Sequence, residues 1–355
     1  MSQIEIVDVV LPSAIDQATD EFLEAIRVYS DAHARTLGTD DVRVRPADVV
    51  AWWRDPGERH HLLAARVDGR VVGMGEFARY TDDETGSVWF DAEADPGPDH
   101  DRVLDAIATR LDELARQAGA RRIGVYQPSP AGSGARLAPP TGAGSVPADD
   151  PKVRWWRDRG FRLEQVERVS RFALPPDRGA LTRFRRDAEA ASPDYREHRW
   201  IDVTPEHRRD DMAVLMTRMT TDAPSAGMEE PESVWTAQRV VDAESGRTPA
   251  DPELLTVVVE HVPSGRLAGF TRLSVPRDPG DAVSQAETLV LREHRGHRLG
   301  MRLKVAGLEF LDEARPEHPS IVTWNAEENR HMLDVNEAVG FVAIGSVGAW
   351  RKDLE

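Results

Sequence analysis

The 355-residue chain contains no cysteine, which excludes disulfides, thiolate metal sites and a cysteine nucleophile, and leaves nothing to read about redox compartment. It also lacks any uninterrupted apolar run of membrane-spanning length. Its first residues, Met-Ser-Gln-Ile-Glu-Ile-Val-Asp-Val-Val, have neither the basic region nor the long apolar core of a secretory signal. The expectation is a soluble cytoplasmic protein with no membrane partner. Basic residues are in the minority, with 45 Lys+Arg against 62 Asp+Glu and a formal net charge of -17. Such a balance disfavours non-specific binding to nucleic acid or anionic lipid.

What is present is enough for two domains, each able to bury its own core. In the first half a strand over 4–10 precedes a helix from Ile15 to Ala34, and a second helix covers Pro46 to Trp53. Two apolar runs, 62–67 and 71–77, meet at Asp68-Gly69-Arg70 as a hairpin whose positive φ the glycine supplies. A turn over 81–86 leads to the strand 87–92. A helix carrying Val103, Leu104, Ile107, Leu111 and Leu114 follows the acidic, proline-bearing loop Glu93 to Asp101, which should repel a pyrophosphate. After the strand 121–126 comes a Gly/Pro/Ala/Ser-rich stretch over 128–151, read as an exposed or partly disordered loop. A short helix with Trp155 and Trp156, read as packing residues, ends at Gly160 before a strand pair over 163–174.

The second half repeats this order. Asp68-Gly69-Arg70-Val71-Val72-Gly73 matches Ser264-Gly265-Arg266-Leu267-Ala268-Gly269 at an offset of 196, and Gly160-Phe161 matches Gly340-Phe341 at 180. Two copies of one fold follow: 1–175, a linker or linker helix over 176–194, and 195–355. Helices over 205–220, 232–243, 299–314 and 329–339 and a last strand or strand pair over 341–350 complete the second copy.

The two copies differ most in one loop. Thr288, Leu289, Val290 and Leu291 suit a buried strand, Arg292 to Leu299 is a short basic loop, and a helical period begins at Gly300. A helix N-terminus has unsatisfied N–H groups and partial positive charge, so such a loop can wrap a pyrophosphate. The same order of elements is also ordinary α/β connection chemistry. His294 and His297 lie three apart with no third ligand at a recognisable spacing, so no metal is expected.

The twice-repeated order of elements resembles the GNAT superfamily of acyl-CoA-dependent N-acyltransferases. The fold expected is α/β (α+β): two tandem GNAT-like domains, each a mixed, mostly antiparallel twisted sheet flanked by helices. The tandem arrangement resembles that of mycothiol synthase-like actinobacterial proteins, with a degenerate first domain. In the family's central motif Arg295 and Gly300 fill the first and last places, while Arg298 stands where a glycine is usual. The resemblance implies that Thr288, Leu289 and Val290 bind the pantetheine arm and that amides of Gly296, His297, Arg298, Leu299, Gly300 and Met301 take the pyrophosphate. Asn329 matches the family's later asparagine. Asn336 stands where a tyrosine commonly protonates the leaving thiolate, and an amide is no proton donor at neutral pH.

Acetyl transfer to an amine needs a base and oxyanion donors. Glu287 is the nearest carboxylate to the implied thioester site and the candidate base. Strand alternation sets it opposite Thr288 and Val290 unless a bulge changes the parity. Ser284 and Gln285 are neighbours able to hold a water instead, and amides near Val290 and Leu291 are candidate oxyanion donors. Arg292, Arg302 and Lys304 read equally as ligands of the cofactor's 3'-phosphate and as surface charges. Trp324 reads as core, or with Asn325 as lining of an acceptor pocket. The implied activity is N-acetyl transfer from acetyl-CoA to a primary amine of a small molecule in the C-terminal domain. The alternative is a non-catalytic acyl-CoA-binding or scaffold protein.

Overall fold

The structure, a computed structural model, describes residues 3–354 apart from 56, 82–84, 133, 223 and 229–231, so the centre of the turn expected over 81–86 lies outside the described residues. The chain forms two compact units. One holds residues 1–167, 226–229 and 345–355; the other holds 168–225 and 230–344.

The first unit runs β1 (Ile4–Val9), α1 (Asp20–Leu37), α2 (Pro46–Trp52), β2 (Glu58–Val67), β3 (Arg70–Tyr80), β4 (Ser87–Ala94), α3 (His100–Gln117), β5 (Arg122–Ser129), the short pair β6 (Arg136–Leu137) and β7 (Val146–Pro147), α4 (Pro151–Asp158) and the start of β8 (Arg162–Ala173). Sequence chemistry sets the ends of α1: the Thr19 side chain accepts a hydrogen bond from the Phe22 amide, and Gly38 closes the helix at φ 70. In α3 the apolar period works as expected, burying Val103, Leu104, Ile107 and Leu111 against β3 and β4. Strands β1 to β4 pair antiparallel in order, and β4 and β5 pair parallel over 87–89 and 122–124 only. Within 128–151 the described residues include the paired strands β6 and β7, with Arg136 bonded to Ser145 Oγ at 3.0 Å. Trp156 is 1% exposed and donates to Gln127 Oε1, so it is core.

The second unit contains α5 (Arg178–Ala191), β9 (Tyr195–Ile201), α6 (Arg209–Asp222), α7 (Ala237–Ser245), β10 (Glu253–His261), β11 (Arg266–Val275), β12 (Val283–Val290), α8 (Leu299–Ala314), β13 (Ser320–Ala326), α9 (Arg330–Val339) and the start of β14 (Val342–Asp353). The 176–194 segment is therefore largely helix α5, and the helix expected over 232–243 begins only at Ala237, behind its Thr236 cap. Strands β9 to β12 pair antiparallel, and β12 and β13 pair parallel over 283–284 and 321–322 only. From residue 346 the last strand, β14, pairs antiparallel with β5 of the first unit.

The internal repeat is physical. Gly69 and Gly265 both take positive φ, at 79 and 68, and both hairpins carry a bulge just after the turn, at Val72 and at Ala268. The aligned glycines that follow have no room for a side chain. A Cβ on Gly73 would meet Val103 of α3 at 2.4 Å, and one on Gly269 would meet the Leu289 carbonyl at 2.5 Å.

Candidate functional site

β12 is the strand on which the site is built. Its ladder with β11 is irregular: Arg272 faces Glu287 and Leu273 faces Gln285, so Ala286 is an extra residue. Two residues apart on a regular strand share a face, but across a one-residue bulge they part. Gln285 accordingly reaches Lys304 of α8, while Glu287 lies beside Arg272, whose guanidinium packs near Phe270 in the cluster shared with α6. The parity between Glu287 and Thr288 is untouched, because the bulge precedes both. Thr288 faces α8, bonded to Thr271 Oγ1 at 2.8 Å, and Glu287 faces the other way.

Glu287 is partly buried. One oxygen lies 3.9 Å from Arg272, and the other, Oε2, is buried and takes no hydrogen bond among the described residues. Its backbone carbonyl is crowded with donors: Gln285 Nε2 at 3.1 Å, Thr271 Oγ1 at 3.1 Å and Thr288 Oγ1 at 2.8 Å.

Beyond Ser284 the β13-facing edge of β12 has no ladder partner in β13. The Leu291 amide is spent on Ala268 O at 2.9 Å, which removes it as an oxyanion donor. Alternation along an antiparallel ladder then turns the Leu289 amide toward β11 and those of Thr288 and Val290 toward the open edge. A chain-like ligand with its own amides would find strand-type partners there.

The loop after β12 coils through a short 3-10 turn, Arg292–His294, into α8. Gly296 has φ 89 and Arg298, at the helix N-cap, has φ 54. The left-handed conformation at Arg298 explains why a glycine is at home in that place, since an L side chain there costs about 1–2 kcal/mol. Among the described residues nothing accepts a hydrogen bond from the amides of Gly296, His297, Leu299, Gly300 or Met301; the first N–H bound in the helix is that of Arg302, to Arg298 O. A Cβ on Gly296 would meet nothing within 4 Å, and one on Gly300 only Val335 and His331 at 3.9 and 4.0 Å. Packing inside the protein thus does not explain Gly300, and the space beside it leaves room for close approach to the amides.

The loop's side chains divide. Arg295 turns back to hold Val290 O at 3.1 Å and Asp222 at 2.8 Å, so it braces the loop. Arg292 and Arg298 are exposed and make no ion pair among the described residues. His294 accepts from or donates to Tyr195 at 2.9 Å, and burial followed by the nearby His261 lowers its pKa. No group of three His, Asp or Glu among the described residues is placed to hold a metal ion.

Two basic residues read as phosphate ligands or surface charges are neither. Arg302 is 9% exposed and bonded to Glu197 and to Ser192, and Lys304 is 1% exposed. Both side chains point from α8 into the unit rather than toward the loop. Asn329 caps α9, accepting from the Met332 amide at 3.4 Å. Asn336 is 1% exposed and donates to Asn325 Oδ1 at 2.7 Å, and its own Oδ1 has no partner among the described residues. Trp324 is 37% exposed and is not core. The first unit lacks this arrangement: its acidic loop is tied up by Asp95 on Arg27 and Asp99 on Arg102.

The sequence matches no protein-family model and no curated protein. Among solved structures it is similar to a tandem GNAT protein from the clavulanic acid biosynthesis pathway, with a TM-score of 0.71, 23% identity, and 99% of this chain and 98% of that one covered. It is also similar to a GCN5-related N-acetyltransferase from Sphaerobacter thermophilus, with a TM-score of 0.58, 12% identity and 98% and 95% covered. A third similarity is to the glucosamine N-acetyltransferase region of a fungal multi-domain β-N-acetylglucosaminidase, at 0.63 and 15%, covering 99% of this chain and 38% of that one. Along its length, this chain has the fold of tandem GNAT proteins, two mixed and mostly antiparallel sheet domains flanked by helices.

Proposed function

We propose that the protein is an N-acetyltransferase that moves an acetyl group from acetyl-CoA to a primary amine of a small molecule, with its site in the second copy. The observation that carries this reading is the row of unpartnered amides from Gly296 to Met301 at the start of α8. These amides and the helix terminus suit a pyrophosphate, and the open edge at Thr288 and Val290 suits the amide-bearing arm of the same co-substrate. Acetyl-CoA supplies an activated acyl carbon. Glu287, a partly buried carboxylate, takes through a bridging water the proton that the ammonium must lose before nitrogen attacks. The C–N bond then forms, the C–S bond breaks, and CoA leaves as the thiolate. Asn336 offers no titratable proton, so the second proton of the attacking nitrogen passes through water to the thiolate.

Calorimetry with acetyl-CoA tests the first half of this reading, with saturable binding expected at sub-millimolar concentration; a folded sample that shows none refutes it. Release of CoA over an amine panel tests the second. A second reading, a non-catalytic acyl-CoA-binding protein, is favoured by the buried Asn336, bonded to the part-buried Asn325, where a tyrosine would stand. It predicts binding with no CoA release above background.

A further inference from the structure

Lysine is scarce in this chain: of 45 basic residues only Lys152, Lys304 and Lys352 are lysine. Lys304 is the one sealed in a core, 1% exposed. Its ammonium or amine has Gln285 Oε1 as its hydrogen-bond partner, at 2.9 Å, and lies 5.2 Å from the centre of the Phe341 ring. Burying such a group is costly, so a helix position that needed only packing would carry an aliphatic side chain.

What the lysine holds is informative. Gln285 Nε2 reaches Thr271 Oγ1 at 2.9 Å, Arg272 O at 2.9 Å and Glu287 O at 3.1 Å. These acceptors flank the bulge at Ala286 on both strands, so one amide spans the irregularity and Lys304 fixes that amide.

The first copy serves as an internal control. Its β3–β4 ladder runs without a break from Gly73 opposite Ala94 to Ala78 opposite Trp89. Val103 lies against Gly73 as Leu303 lies against Gly269, which sets the helix offset at 200 and makes Leu104 the counterpart of Lys304. Phe77 corresponds to Leu273, and its partner Phe90 therefore corresponds to Gln285. Leu104 and Phe90 are both buried in an apolar cluster. An apolar pair with a regular ladder satisfies the fold in one copy, and the polar pair accompanies the bulge in the other.

We propose that Lys304 and Gln285 are positioning residues for Glu287. From the α8 side of the sheet they hold the bulge at Ala286, and the bulge turns the Glu287 carboxylate to the opposite side, where the acceptor amine is deprotonated. On an unbulged strand residue 287 would face α8, as 285 does. The role in catalysis rests on the acetyltransferase reading above.

The test uses the full chain and four variants: Lys304→Met, Gln285→Leu, Glu287→Gln and the double Lys304→Met/Glu287→Gln. Lys304→Met should lower kcat for CoA release over the amine panel at least ten-fold while leaving KM for acetyl-CoA within two-fold. In the Glu287→Gln background the same change should cost less than two-fold, because a residue acting through Glu287 has nothing left to position. Amide hydrogen exchange at 286–288 should speed up at least ten-fold in Lys304→Met with β10 unchanged; Gln285→Leu provides the same readings if Lys304→Met does not fold. Wild-type kcat or wild-type exchange in either folded single variant, or kinetic losses that multiply in the double, overturns the proposal. Acetyl-CoA binding without CoA release by the wild type overturns the transferase reading and the catalytic role with it, while the exchange result separately decides the clamp.

Discussion

Replacing Lys304 by methionine should change how stability depends on pH, in a direction and size that burial dictates. Burial lowers the Lys304 pKa from 10.5 to about 7. In the unfolded chain the amine keeps its proton up to about pH 10.5, whereas in the folded protein it releases it above about 7. Between those values the unfolded state holds more protons, so stability rises with pH; below about 7 both states are protonated and this group contributes no slope. One pKa unit is worth about 1.4 kcal/mol, so the wild type should gain about 2 to 3 kcal/mol from this group between pH 7.5 and 9.5. Methionine fills a similar volume and does not titrate, though it leaves Gln285 Oε1 unpaired at a pH-independent cost of about 1–3 kcal/mol. Urea unfolding of both proteins across that range isolates the effect, because every other titrating group cancels in the difference. With only three lysines in the chain, lysine-labelled NMR can follow the Lys304 side chain directly. Stability curves for wild type and Lys304→Met that run parallel from pH 7.5 to 9.5 would refute the reasoning.

Three further outcomes are expected. Glu287→Gln should lower kcat at least 100-fold, in keeping with loss of a general base, and leave acetyl-CoA affinity unchanged by calorimetry; retained activity would remove Glu287 from the mechanism. Arg298→Gly relieves the left-handed backbone at φ 54 and should stabilise the protein by about 1 kcal/mol in thermal unfolding while keeping acetyl-CoA binding within three-fold. A ten-fold loss there would assign the phosphate contact to the guanidinium instead of the amides. Gly269→Ala drives a Cβ to 2.5 Å from the Leu289 carbonyl and should cost about 2–3 kcal/mol, read as a lowered Tm; a wild-type Tm would show that the two strands part without penalty.

The features that local chemistry dictates were legible in the sequence. Gly69 and Gly265 mark turns because only they relax there, and the basic loop between β12 and α8 stood out from its acidic counterpart. A lysine is usually solvated, which hides the burial of Lys304, yet the sequence carries a signal for it: Lys304 lies four residues after Gly300 and four before Leu308, inside the helix's buried arc. The bulge at Ala286 has no glycine or proline to announce it, since its support comes from Gln285 and Lys304 across the interior. The residue type of Trp324 fits core or, with Asn325, pocket lining, and its position on β13, which leaves it 37% exposed, removes the first of these. Nor does any local period tell a strand which edge to join, so the destination of β14 was hidden.

That destination bears on how the chain is made. A ribosome delivers β5 long before residues 346–353, its antiparallel partners. Ala349 and Trp350, both fully buried, follow β5 only after all the strands from β9 to β13. Until then β5 waits with an unpaired edge, the sort of edge that recruits strands from other molecules. The N-terminal copy, though translated first, cannot close its sheet until its sibling copy has been almost entirely synthesised. Slow translation or premature termination would therefore injure the first-made half of this protein as much as the second.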